Sequence, residues 1–208
     1  AGTVYSELPH EEIYRTREAN RRLGLGIMGV HEWLLKNGEK YGESVELGRY
    51  LDIYGSSTEI AATYADRHGL SRPIKTRAIA PTGTIGIIAE TTTGIEPIFC
   101  AAFKRRYLQG KTWKYQYVVD PTAKNLVDNY GVDPNKIEDA YSLSYDVERR
   151  VAFQHWIQKY VDHGISSTIN LPYPIKDEDE AVAFGDMLMK YLPGLRGITC
   201  YPDGARGG

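Results

Sequence analysis

Cysteine is nearly absent from this sequence: only Cys100 and Cys200 occur in 208 residues. Two thiols cannot form a disulfide framework for a chain of this length, so a reducing compartment, the cytoplasm, is expected, with each cysteine acting as a small buried apolar group. A redox pair is the alternative reading. Long apolar runs are also missing. None approaches the roughly 20 residues of a membrane-spanning helix, and Ala1-Gly2-Thr3-Val4-Tyr5-Ser6-Glu7 lacks the basic start and apolar stretch of a signal peptide. Neither sign of charge dominates, with 25 basic against 27 acidic residues and a net charge of −2. That balance gives no attraction to nucleic acid or to an anionic membrane. None of the histidines, His10, His31, His68, His155 and His163, stands at a metal-ligand spacing from another His or Cys. Nucleophile-elbow and H-E-x-x-H motifs do not occur. What is present, 42% hydrophobic and 25% charged residues, is the composition of one soluble globular domain with a sizeable core.

Periodicity assigns the elements. Ile27, Val30, His31, Leu34 and Leu35, at offsets 0, 3, 4, 7 and 8, mark one helix face, with Asn37-Gly38 as a stop and His31 as a core histidine. Ser44 to about His68 reads as one long helix ending near Gly69, and Arg77-Ala78-Ile79-Ala80 as a short buried strand stopped by Pro81. From Phe99 to Val119, aromatic, β-branched and basic residues around Gln109-Gly110 favour a hairpin or an irregular excursion. Asp120-Pro121 starts a further helix. Ser144 is a candidate cap for a helix with Phe153, Trp156, Ile157, Tyr160 and Val161 on its apolar face. The last third reads as strand (Ser167–Leu171), helix from Asp177 to Pro193-Gly194, then strand (Gly197–Tyr201), a βαβ-like unit. The acids at Asp177 and Glu178 are helix-start charges. The fold class is α/β.

The segment with most chemical promise is Ala80-Pro81-Thr82-Gly83-Thr84-Ile85-Gly86-Ile87-Ile88. A strand end followed by small residues and a helix start exposes backbone N–H groups, which bind anions, phosphate above all. Gly83 permits close approach, and Thr82 or Thr84 can cap the helix or donate a hydroxyl. An ordinary capped turn has the same appearance. Gly24-Leu25-Gly26-Ile27-Met28-Gly29 matches G-x-G-x-x-G, but the polar residues before it are no strand, so close packing is the reading. Lys104, Arg105, Arg106 and Tyr107, with Lys111, Trp113, Lys114, Tyr115 and Tyr117, interleave cations and aromatics; solvated hairpin charges are favoured over a single-strand nucleic-acid surface.

Four ordered segments resemble ribonucleotide reductase catalytic subunits, above all the adenosylcobalamin-dependent class. Arg22 to Gly29 resembles the family's glycine-rich helix start. Ala80 to Ile85 with Gly94-Ile95-Glu96-Pro97 resembles its phosphate-loop region. Ser166 to Pro172 resembles a late barrel strand, and Gly197 to Arg206 the final barrel strand and its exit. The match runs from about Tyr14 to Arg206. The resemblance implies the second half of a ten-stranded α/β barrel over residues 1–208, with a hairpin excursion near 98–119. It implies reduction of ribonucleotides to 2′-deoxyribonucleotides by thiyl-radical chemistry, with Pro81, Thr82, Gly83, Thr84 and Ile85 holding the substrate phosphates. Adenosylcobalamin is the implied cofactor, a metal-cluster partner subunit being the alternative radical source. The implied partners are the ribonucleotide, an N-terminal remainder or split partner chain, and a thiol reductant such as thioredoxin; no nucleic acid or membrane is expected. The family's radical cysteine lies in an Asn-x-Cys-x-Glu motif that does not occur here, so neither Cys100 nor Cys200 inherits that role. No catalytic residue and no metal site is therefore expected in this chain, which alone should be inactive. The alternative is a non-catalytic nucleotide or single-stranded nucleic-acid binding module.

Overall fold

A computed structural model describes residues 6–202; Asp203 to Arg206 of the barrel-exit resemblance lie outside the described residues. α1 (Glu11–Asn20) begins at His10, whose Nδ1 accepts from the Glu12 amide. α2 (Val30–Lys36) buries Val30, His31, Leu34 and Leu35, as the periodicity predicts, while Ile27 falls in the lead-in. Asn37 ends it, and Gly38 takes φ +71°, a conformation glycine adopts without Cβ strain.

The long helix expected from Ser44 to His68 is two helices, α3 (Val45–Gly55) and α4 (Ser57–Arg67), meeting at Ser56. The physical cause is a competition for backbone acceptors. The Gly55 carbonyl accepts from Arg77 Nη1 at 2.9 Å, and the Ser56 hydroxyl donates back to the Ile53 carbonyl at 2.6 Å.

After α5 (Gly83–Ile88), the hairpin β1 (Ala102–Gln109) and β2 (Thr112–Val119) pairs in register from Ala102 with Val119 to Gln109 with Thr112. Gly110, at φ +63°, serves its tight turn. α6 (Pro121–Tyr130) is capped by Asp120 and stopped by Gly131. α7 (Ala140–Leu143) follows. Asp146, not Ser144, caps α8 (Val147–Gln158); the Ser144 hydroxyl is committed to the Tyr141 carbonyl at 2.7 Å. Phe153 and Ile157 are buried on α8, and Val161 stays in the core beyond its end.

The strand expected at Arg77–Ala80 forms isolated parallel bridges instead, Leu25 with Arg77 and Ile79 with Ile165. Pro81 removes the next backbone donor and stops the ladder from growing. β3 (Thr168–Leu171) and β4 (Thr199–Pro202) are parallel, with α9 (Glu178–Tyr191) between them in sequence, which is the expected strand–helix–strand unit. Extended segments around 25, 77–79, 165–171 and 199–202 are therefore neighbours in that order, all parallel. The architecture is mixed helix and strand, and no closed sheet is present among the described residues. No helix among them is long and apolar enough to cross a membrane.

Two apolar clusters hold these parts together. One gathers Leu34, Tyr41, Leu51, Ile79, Phe153 and Ile157; the other gathers Leu35, Ile98, Ala123 and Leu126. Adjacent residues of α2 thus serve both, with His31 beside them. His31 is fully buried, accepts from the Ile98 amide through Nδ1 at 3.0 Å, and meets the Tyr41 ring edge-on. Accepting through Nδ1 requires the neutral ring, and burial pushes its pKa down to about 3. The unfolded chain therefore takes up this proton first. The stability contributed is full above the ordinary value near 6.5 and declines as pH falls, by up to about 1.4 kcal/mol per pH unit. It levels off where the folded ring titrates. In His31→Gln this component disappears, so the stability difference between wild type and variant should shrink from pH 7 to pH 4 in urea denaturation. A difference independent of pH would contradict a neutral buried His31.

Candidate functional site

A cavity of about 960 Å³ opens between the 81–100 segment and the C-terminal ends of β3 and β4. Asn170, Leu171 and Pro172 come from the first strand end, and Tyr201 and Pro202 from the second. Carboxyl ends of parallel strands are where open α/β sheets place ligands, because loops diverge there and leave a crevice. Phe99 of that segment lines it too, with Phe103, Thr122 and Tyr141.

The 81–94 segment is held by unusual backbone conformations. Thr82 takes φ +49°, which is strained for a β-branched residue. Two bonds hold it there: its Oγ1 accepts from the Gly94 amide at 3.0 Å, and its carbonyl accepts from the Gly86 amide at 2.7 Å. Thr82 thus occupies the cap position of α5 without capping it. The first N–H groups of α5, at Gly83, Thr84 and Ile85, are left for an outside acceptor. A Cβ on Gly83 would meet nothing within 4 Å, so the approach to these amides is open. A Cβ on Gly86 would come within 2.7 Å of Thr93 Cγ2, so α5 lies tight against the threonine segment behind it. Of the five residues assigned to phosphate, Pro81 lines the cleft and Thr82 is half-buried. Gly83, Thr84 and Ile85 are exposed, next to Gly86 and Ile87 of the cleft wall.

At the wall, where Glu96 lines the cleft, lies an ion pair that sequence reading missed. Glu96 Oε2 accepts from Arg150 Nη2 at 2.8 Å, and its Oε1 accepts from the Thr168 amide at 2.6 Å. Arg150 also donates to the Thr168 carbonyl at 2.7 Å and lies over the Tyr41 ring at 5.1 Å. The Tyr41 hydroxyl donates to the Ile95 carbonyl at 2.6 Å, and burial pushes its pKa far up. A second arginine, Arg149, pairs with Glu138, which also accepts from the Tyr41 amide. Spacing contained a signal for Arg150: it precedes Phe153 by three residues and Ile157 by seven, which sets a cation on the core-facing side of α8.

Cys100 and Cys200 are free thiols, half-buried where full burial was expected. Cys100 lines the cleft and its Sγ donates to the Ala102 carbonyl at 3.2 Å. Burial, reinforced for Cys100 by Asp139, pushes both pKa values up, so both stay protonated at neutral pH. Among the described residues no group of His, Cys, Asp and Glu is placed to hold a metal. The G-x-G-x-x-G stretch serves close packing: a Cβ on Gly26 would lie 2.8 Å from the Ala78 carbonyl, and Gly29, at φ +77°, precedes α2.

A family model described as ribonucleotide reductase, barrel domain, matches residues 64–201. The vitamin B12-dependent ribonucleoside-diphosphate reductase of Thermoplasma acidophilum is 28% identical over 95% of this chain and 30% of that protein. The protein of the same name from Mycobacterium tuberculosis is 26% identical over 98% of this chain and 34% of its own length. This chain thus spans about a third of the curated relatives it matches. A solved B12-dependent (class II) ribonucleotide reductase superposes with TM-score 0.74 at 17% identity, covering 96% of this chain and 32% of the other. The class Id reductase alpha subunit of Actinobacillus ureae superposes with TM-score 0.64, covering 93% of this chain and 41% of that one.

Removing Glu96 would leave the Arg150 charge, 3% exposed, without its carboxylate. Glu96→Ala is expected to cost about 3 kcal/mol or more in denaturant unfolding, far beyond the effect of Glu46→Ala at the exposed Arg49 pair. Equal small effects would show that the pair does not secure the cleft.

Proposed function

The chain belongs to the ribonucleotide reductase barrel-domain family, and on that footing we propose that it supplies the substrate-phosphate side of a cytoplasmic, adenosylcobalamin-dependent ribonucleotide reductase. The observation that carries this reading is the uncapped start of α5 beside a cleft at the carboxyl ends of β3 and β4. The relatives are named as reductases, so a non-catalytic binding module is not retained.

In this reading the parallel segments around 25, 77–79, 165–171 and 199–202 are neighbouring staves of the second half of a ten-stranded barrel. The other staves come from an N-terminal remainder or a partner chain. The amides of Gly83, Thr84 and Ile85 and the Thr84 hydroxyl bind phosphate oxygens, because a helix start combines free donors with the positive end of the helix dipole. Pro81 sets the turn, and Thr82 holds it through Gly94. The sugar faces the polar side of the cleft, where Ser166, Thr168 and Asn170 offer hydrogen-bonding groups.

The cleft wall of Phe99, Phe103 and Tyr141, with the Thr122 hydroxyl, is largely apolar, which suits one face of the corrin ring of a cobalamin. These residues would hold it, and when bound it supplies the radical that is passed to a cysteine outside this chain. The net reaction replaces the ribose 2′-hydroxyl by hydrogen, releases water, and oxidises two thiols to a disulfide. Those thiols are recharged by a dithiol reductant such as thioredoxin. Neither cysteine of this chain takes the radical role.

Two measurements test this. The isolated chain, with adenosylcobalamin, dithiothreitol and a ribonucleoside diphosphate, should form no deoxynucleotide, and turnover by it alone would overturn the assignment. In the completed enzyme Gly83→Val should raise KM at least about tenfold by blocking phosphate approach, while the melting temperature stays put because the added side chain meets open space. Unchanged KM and rate would remove the loop from the phosphate site.

A further inference from the structure

The hairpin β1–β2 enters the cleft wall only through Phe103. Its register sets Lys104 opposite Tyr117, Arg106 opposite Tyr115 and Leu108 opposite Trp113, so these six side chains share one face. Lys104 Nζ stands 4.7 Å from the Tyr115 ring and Arg106 Cζ 4.5 Å from the Trp113 ring. The face lies open: Leu108 is 56% exposed, Trp113 53%, Tyr115 60% and Tyr117 81%. A two-stranded ribbon with bare faces is marginal in water, and a contiguous apolar patch of this kind marks a contact surface.

Charge identifies what covers it. Residues 98–119 hold five cations and no acid, leaving 20 cations against 27 acids in the rest of the chain. That acidic remainder repels a nucleic-acid backbone and suits an acidic polypeptide surface. Such a surface exists on this molecule. From Tyr173 to Val182 run four consecutive acids, Asp177 to Glu180, flanked by Tyr173, Ile175 and Val182 at 45%, 43% and 56% exposure. The stretch has one cation, Lys176, which lies over the Tyr173 ring. Hairpin face and acidic rim are complementary in sign, and each offers exposed apolar side chains to the other. Both lie open in this chain, and their opposite charge and exposed apolar side chains fit the hairpin of one copy to the rim of another.

We propose that the aromatic, basic face of the hairpin docks on the Tyr173–Val182 rim of a second copy of this chain. Each copy carries both surfaces, so the contact closes as a reciprocal pair or extends head to tail. The contact does not depend on the phosphate-site reading.

Sedimentation velocity on the full chain tests it. Self-association that rises with concentration at about 50 mM salt and weakens at about 0.5 M is expected, since screening shortens the reach of these charges. The double variant Lys104→Glu/Arg106→Glu should weaken association at least about tenfold, and Glu178→Lys/Asp179→Lys should do the same. Mixing the two variants should restore a one-to-one complex. All the substituted side chains are charged surface groups, and circular dichroism checks their fold; the neutral Trp113→Ala, which should also weaken association, provides a second test. A wild-type monomer up to roughly 100 µM, association indifferent to hairpin charge, or no recovery on mixing would overturn the proposal. So would tight, hairpin-dependent binding of oligothymidylate by a chain that stays monomeric.

Discussion

Arg150 carries a charge inside the core, and the arrangement of the cleft follows from how that charge is satisfied. A lone buried guanidinium would cost several kcal/mol. Here it is offset by the Glu96 carboxylate, the Thr168 carbonyl and the face of Tyr41. Those partners lie on segments distant in sequence, so one side chain fixes the 94–97 turn, the start of β3 and the position of α8 together.

From that anchor the strain at Thr82, in the loop proposed to bind phosphate, can be borne. Thr82 would leave a left-handed conformation if nothing opposed it. Gly94 opposes it with an amide aimed at the Thr82 hydroxyl, and Gly94 stands two residues before Glu96. Gly86 lets α5 press on Thr93 from the other side. The first amides of α5 are thus held in one orientation before any ligand arrives, which is the preorganisation that anion binding at a helix start rewards.

The parts legible in sequence are those decided locally. Asp120-Pro121 and Asp177 start helices because a carboxylate caps the amides beside it, and Val30 to Leu35 shows its helical period whatever surrounds it. The G-x-G-x-x-G stretch was recognisable as packing from the polar residues before it. The illegible parts were decided by distant partners. Arg77 takes the Gly55 carbonyl and divides the expected long helix at Ser56. Asp146 caps α8 because Ser144 is spent on Tyr141. Arg77–Ala80 is extended, yet it bridges its neighbours at single residues and forms no ladder. The Glu96 and Arg150 pair joins residues 54 apart, which no local rule brings together. The loop's small residues were visible, while the strain at Thr82 and the lock from Gly94 were not.

The central claim is that the amides of Gly83, Thr84 and Ile85 form a phosphate cradle. Backbone amide chemical shifts, followed by NMR during titration with a ribonucleoside diphosphate and separately with the matching nucleoside, read those atoms directly. The account predicts that the diphosphate shifts these three amides and that of Gly94, while the nucleoside leaves them in place. Shifts of equal size with both compounds, or none at Gly83 to Ile85, would contradict it.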